Sequence, residues 1–230
     1  MTKFIVLSLL LVYTISCKKD DKNVQSITIK EKTTPKKKKL IKKIVLKKDS
    51  LNSKNVEIFF TAYGKQNLET IVEFETRLGN FTVKLYKDTP VDRANFIFLA
   101  KKGYFNTTCF HRLVPGFVAQ FGDSDRLETV KFRNKYQNYK LRPEFRKNHS
   151  HKRGALAIAR DWENNPKKIA TPFEFYIVQN KKGEHHLNFE HTVLGEVING
   201  MNIIDKIMLE KTDKDEWPFK DIDLKVINIK

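Results

Sequence analysis

Residues 110–123 read Phe-His-Arg-Leu-Val-Pro-Gly-Phe-Val-Ala-Gln-Phe-Gly-Asp. This stretch sets an imidazole (His111), a permanent cation (Arg112) and an amide (Gln120) among apolar side chains that include Phe117 and Val118. A guanidinium stays charged at any ordinary pH and presents five donors in a rigid plane, so Arg112 suits charge stabilisation better than proton transfer. Taken singly, an Arg after a strand His is a surface residue and Phe117 is core; only the joint spacing carries information. His185, His186 and His191 raise the question of a metal. They lack a Cys or carboxylate cluster of ligand spacing, so neither metal nor cofactor is expected. Cys17 and Cys109 are the two cysteines, and one ends a leader, so no disulfide framework is implied. Cys109 reads as a small buried apolar residue.

The elements around this stretch are short and mostly extended. Thr70–Thr76 alternates, Leu78-Gly79-Asn80 turns and Phe81–Tyr86 alternates again, which is a hairpin. Thr89-Pro90 opens a helix as N-cap and first-turn residue, with Ile97 facing the core, and Gly103 ends it. Apolar alternation from Phe110 to Gln120 is interrupted by Pro115-Gly116. Residues 154–160, 173–179, 191–198 and 223–229 read as strands, and Met201–Met208 as a second helix. Many short strands with two helices favour a closed barrel, which removes exposed edges. No internal repeat is present.

The formal net charge is +17 over 230 residues. Residues 18–65 hold fifteen Lys against five acidic residues, so the excess describes a tail more than a site. Like charges keep such a chain extended, and residues 17–66 read as a linker in which Val56–Phe60 pairs as a short strand. A solvated spacer and a non-specific contact with anionic surfaces both stay open for the Lys run. It carries no recognisable nucleic-acid reading motif. Ahead of it, Lys3 precedes an apolar run over residues 4–15, then Ser16 and Cys17. Residues 1–16 form a secretory signal peptide, too short to span a bilayer. A Cys after a small residue, followed by Lys18-Lys19-Asp20-Asp21, resembles a bacterial lipoprotein signal, in which the Cys is acylated and becomes the N-terminus. Thr14 departs from the Leu preferred there, so a plain secretory leader remains the other reading. The lipoprotein reading places the protein at a bacterial cell envelope, lipid-anchored through Cys17.

Residues 110–123 resemble the signature of the cyclophilin-type peptidyl-prolyl cis/trans isomerases. The opening hairpin, the Thr89-Pro90 helix, Asn106–Cys109 and Gly195–Met201 fall in that family's order and spacing. Gly154–Arg160 and Phe173–Gln179 look like a bacterial subgroup. The resemblance covers residues 69–230, within a domain placed at 67–230. It implies a mainly β fold, a closed eight-stranded antiparallel barrel capped by two helices, with substrate on the outer face. Carried over residue by residue, it makes Arg112 catalytic with Phe117, Gln120 and His111. Val118, Tyr176 and Leu187 complete a proline pocket, Ala159 and Arg160 border the peptide, and Glu174, His186 and His191 complete the binding set. It implies proline-containing polypeptides as partners, with the chain a monomer.

Departures from the family pattern carry their own expectations. Glu174 stands where a Gln usually orients the catalytic Arg. It would offer Arg112 a carboxylate that competes for its donors, so Glu174→Gln should raise catalytic efficiency. His186 stands where many eukaryotic members have Trp, which implies weak cyclosporin binding. Charged residues from Arg126 to Lys140 replace a Gly-rich loop, and Phe121 replaces a Gly. Three functions follow: an isomerase assisting folding of exported or envelope proteins, a proline-segment binding module with little turnover, or a basic tail that adheres while the barrel serves as a rigid head.

Overall fold

The computed structural model describes residues 51–136 and 139–230. The leader, Cys17 and the Lys-rich stretch to residue 50 lie outside the described residues. Eight antiparallel strands form one sheet: β1 (Ile71–Thr76), β2 (Gly79–Leu85), β3 (Cys109–Leu113), β4 (Val118–Asp123), β5 (Ala155–Ile158), β6 (Phe175–Val178), β7 (Val193–Asn199) and β8 (Lys225–Ile229). Their spatial order is β3-β4-β6-β5-β7-β2-β1-β8. The edge strands are not joined by a ladder. They meet beside β8 through a single bridge, Cys109 with Asp223, and hydrogen bonds from Phe110 N–H to Ile222 O and from Leu224 N–H to Thr108 O. The sheet is therefore a curved half-barrel whose seam is drawn together at one point, short of the ladder-closed barrel that was expected.

The period-2 pattern sorts side chains as it should. Val72, Phe74, Phe81, Val83 and Leu85 go inward, while Glu75 and Lys84 face solvent. The interior is aromatic: Phe74 and Phe81 stack at 5.1 Å, and Phe96 meets Phe175 edge-on at 4.8 Å. Strands β5 and β6 are buried on both faces. Leu156, Ile158, Phe175 and Ile177 join the main core, whereas Ala155, Ala157, Tyr176 and Val178 form a second apolar cluster with Val118, Leu187 and Val193. That second cluster lies on the outer face, and it becomes the floor of the site.

Four helices are described instead of two. The expected pair is α2 (Pro90–Lys101) and α4 (Met201–Ile207); the others are α1 (Val56–Gln66) and α3 (Leu127–Tyr136). The Val56–Phe60 segment is thus helical, not a strand. It buries Val56 and Phe60, and Phe60 packs on Phe98 of α2 at 5.7 Å and on Tyr139 at 5.6 Å. Leu51 is also buried in this core, so part of the stretch read as linker packs against the domain. Helix α2 starts at Thr89-Pro90 as expected, but Thr89 makes no side-chain cap. Glu144 caps it from outside: its Oε2 accepts the N–H groups of Val91 and Asp92 at 2.9 and 2.8 Å. The negative carboxylate meets the positive end of the helix dipole. Burial, and then the nearby Glu144 charge, push the Asp92 carboxyl well above its usual range.

Candidate active site

Strand register lines up the principal polar groups. Arg112 on β3 pairs with Gln120 on β4, Gln120 with Tyr176 on β6, and Tyr176 with Ala157 on β5. One row thus crosses four strands on the outer face. Strict alternation would put Arg112 on the same side as the fully buried Phe110. Register shifts flanking Phe110 break that alternation and turn Arg112 outward.

Beside this row lies a groove of about 660 Å³. Arg112, Phe117, Val118, Gln120, Ala159, Arg160, Glu174, Tyr176, Leu187 and His191 all line it. Two predicted residues stand behind or beside the wall. His111 is buried, with its ring 5.8 Å from that of Trp217 and its Nε2 3.8 Å from Glu174 Oε2. His186 is largely exposed and stacks at 6.0 Å on Phe117. Burial pulls His111 down to about 4, so it is neutral near pH 7 and supports the site without charge.

The floor is apolar but not wholly so. The Tyr176 hydroxyl donates to Nε2 of the buried His151 at 2.9 Å, and His151 Nδ1 donates to Asn188 Oδ1 at 2.9 Å. His191 Nδ1 donates to the Ile158 carbonyl at 3.1 Å, leaving Nε2 as an acceptor. Arg160 is held rigidly. Its Nε donates to Glu190 O at 2.8 Å, its Nη2 pairs with Glu190 Oε2 at 2.7 Å, and Trp162 lies 4.2 Å from its guanidinium carbon.

Glu174 is not the partner of Arg112. It accepts from Gln120 Nε2 at 3.1 Å and pairs with Arg133 Nη2 at 3.2 Å. Arg133 comes from α3, in the charged segment that replaces the expected Gly-rich loop. Its Nε donates to the Tyr104 hydroxyl at 2.8 Å and its Nη2 to Gly122 O at 2.9 Å. Gly122 must be glycine, since its φ is +99° and a Cβ there would lie 2.3 Å from Phe173 O. Arg112 instead pairs through Nε with Glu216 Oε2 at 2.6 Å. Sequence reasoning missed Arg133, Trp162, Glu216 and Trp217. The excess charge of residues 126–140 was the one visible signal, and it identified no partner. Phe121, where the pattern has Gly, is fully buried between Phe110 and Phe175 and fills the core.

Among the described residues, the groove sets a cation above an apolar floor, with no Ser or Cys in its lining. Cys109 is buried, and burial lifts its thiol to about 12. Among the described residues, no group of three or more His, Cys, Asp or Glu is placed to hold a metal.

Comparison with known proteins identifies the family of the domain. The family model described as cyclophilin type peptidyl-prolyl cis-trans isomerase/CLD matches residues 71–229. Peptidyl-prolyl cis-trans isomerase-like 1 of Aspergillus niger is 33% identical over 66% of this chain and 89% of its own. A peptidyl-prolyl cis-trans isomerase of Acinetobacter baylyi is 32% identical over 60% of this chain and 71% of its own. A solved Cryptosporidium parvum cyclophilin-type isomerase superposes with a TM-score of 0.58 at 22% identity, covering 70% of this chain and 98% of that one. The same protein has been solved in the presence of the dipeptide Ala-Pro, with a TM-score of 0.55.

Proposed function

This chain belongs to the cyclophilin-type peptidyl-prolyl cis-trans isomerase family, and we propose that it turns X-Pro bonds of exported or envelope proteins in the groove beside Arg112. The observation that carries the reading is the row Arg112–Gln120–Tyr176 laid across an apolar outer-face cluster.

An X-Pro bond rotates over a barrier of roughly 18–20 kcal/mol set by amide resonance. No bond is made or broken, so the enzyme has only to favour the twisted amide over both planar forms. Twisting localises a lone pair on the proline nitrogen. Phe117, Val118, Tyr176 and Leu187 grip the ring, and Arg112 donates to that nitrogen and to the neighbouring carbonyl. Gln120 sits beside Arg112 in the row, and the backbone at Ala159 and Arg160 borders the peptide. His191 stands at the rim and His186 backs Phe117. Where the bound ring excludes water from the apolar floor, each hydrogen bond strengthens. That the Cryptosporidium protein was solved in the presence of the dipeptide Ala-Pro supports a proline-bearing ligand.

A protease-coupled isomerisation assay on an X-Pro peptide tests this, comparing the full-length chain with Arg112→Ala. The expected result is activity that drops about a hundredfold or more in the variant. Equal activity in both would remove Arg112 from the mechanism. Peptide binding without turnover in the parent would favour the binding-module reading. The tether belongs to the same reading: acylated Cys17 holds the domain at a bacterial envelope membrane as a monomer. The Lys-rich stretch serves as spacer and can also touch anionic surfaces.

A further inference from the structure

Arg112 is half-exposed, and a long side chain in that position samples many rotamers unless something holds it. The residue expected to hold it, Glu174, is engaged by Gln120 and Arg133. Among the described residues, the acidic side chain in ion-pair reach of Arg112 is Glu216, in the loop between α4 and β8.

That loop is built to present Glu216. Asp213 folds it: Oδ1 accepts the N–H groups of Asp215 and Trp217 at 2.9 Å each, and the Asp213 carbonyl accepts from Glu216 N–H at 3.2 Å. A bridge joins Thr212 to Pro218 across the turn. Glu216 itself sits at φ +65°, a left-handed conformation that a non-glycine residue rarely adopts without being held there. Its carbonyl accepts from Leu113 N–H at 2.9 Å, tying the loop to β3 one residue beyond Arg112. The next residue, Trp217, packs against His111, the residue before Arg112. Two consecutive loop residues therefore grip three consecutive residues of the strand that carries the cation.

We propose that Glu216 is the positioning residue for Arg112, taking over the orienting task that the usual site gives to the residue at position 174. The closest approach of the ion pair is 2.6 Å, between Glu216 Oε2 and Arg112 Nε; a contact on that edge of the guanidinium would leave the Nη donors for the peptide. Glu216 acts through Arg112 and touches no substrate. The proposal rests on the reading of Arg112 as the catalytic cation.

Exchange spectroscopy on an Ala-Pro peptide at several concentrations separates kcat from KM. It should be run on the full-length chain, Glu216→Ala, Glu216→Gln, Arg112→Ala and the Arg112→Ala/Glu216→Ala double variant. Glu216→Ala should lower kcat about tenfold with KM within about twofold, since misorientation costs turnover more than affinity. Glu216→Gln, which keeps the length and an acceptor oxygen, should recover part of the loss. In the Arg112→Ala background, removing Glu216 should change nothing further. The Nε–Hε resonance of Arg112 should move in both Glu216 variants. Unchanged kcat in Glu216→Ala, or a further loss of the same size without Arg112, overturns the proposal. So does a rise in kcat, which would make Glu216 a brake. Full activity in Arg112→Ala would instead overturn the assignment of Arg112 itself, and the clamp with it.

Discussion

Arg133 Nη2 lies 3.2 Å from Glu174 Oε1, joining the helix that replaces an expected Gly-rich loop to the residue that replaces an expected Gln. The two departures compensate each other. Arg133 also pairs with Asp123 at 3.1 Å and donates to Gly122 O and Tyr104, so the network braces the base of β4 beneath Gln120.

This pairing changes what Glu174→Gln should do. Because Glu174 does not hold Arg112, the substitution should leave kcat/KM close to the parent value instead of raising it. Arg133→Ala leaves a half-buried carboxylate short of a donor and should cost about 1–3 kcal/mol in urea unfolding. Adding Glu174→Gln to Arg133→Ala should restore part of that stability. Strict additivity of the two changes would show that the pair is not coupled.

Acid should weaken the fold through its buried imidazoles. Burial lowers His151 to about 4, while its unfolded value is about 6.5. The folded value is the lower one, so the unfolded chain binds the proton first. The stability present above the unfolded pKa is lost as pH falls from about 6.5 towards about 4. His151 alone should cost about 2 kcal/mol between pH 7 and pH 5. His111 and His191, also lowered to about 4 by burial, act in the same direction. Urea midpoints across this range should show the decline, and His151→Gln should show a shallower slope than the parent. Equal slopes would mean His151 does not titrate as described.

Helix α1 should behave as part of the domain and not as tether. Phe60 is fully buried against Phe98 and Tyr139. Phe60→Ala should lower unfolding stability by about 3–5 kcal/mol. A loss below about 1 kcal/mol, the size seen for substitutions away from packed sites, would put residues 56–66 outside the core.

The proposed tether predicts a mass and a location. Expressed in a bacterium that processes lipoproteins, the mature chain should begin at Cys17, carry acyl groups and fractionate with membranes. Cys17→Ser should lose the acyl mass and move to the soluble fraction. A mature parent chain without acyl groups would leave a plain secretory leader.

Much of the fold was legible because alternation is a local steric property. Val72, Phe74, Phe81 and Val83 declare their face by period alone, and the hairpin follows. Val56–Phe60 reads as a strand because a run of five residues with apolar ends satisfies either period; its helical turn is settled by Phe98 of α2. Thr89 marked the helix start correctly, but the group that satisfies that start is Glu144, which no local rule could supply. Most of the expected site residues do meet in one groove, because His111 to Gln120 sit on adjacent strands and the rest on the strands and turns beside them.

The sequence by itself determined which residues alternate, where the chain turns and which family the fourteen-residue stretch resembles. Only the tertiary structure decided which charge answers which. Arg112 and Glu216, like Arg133 and Glu174, lie far apart in the chain and have several opposite charges to choose from. An ion pair is selected by where the backbone brings two long side chains, and that path is set by the burial of the core, not by the identity of the charges themselves.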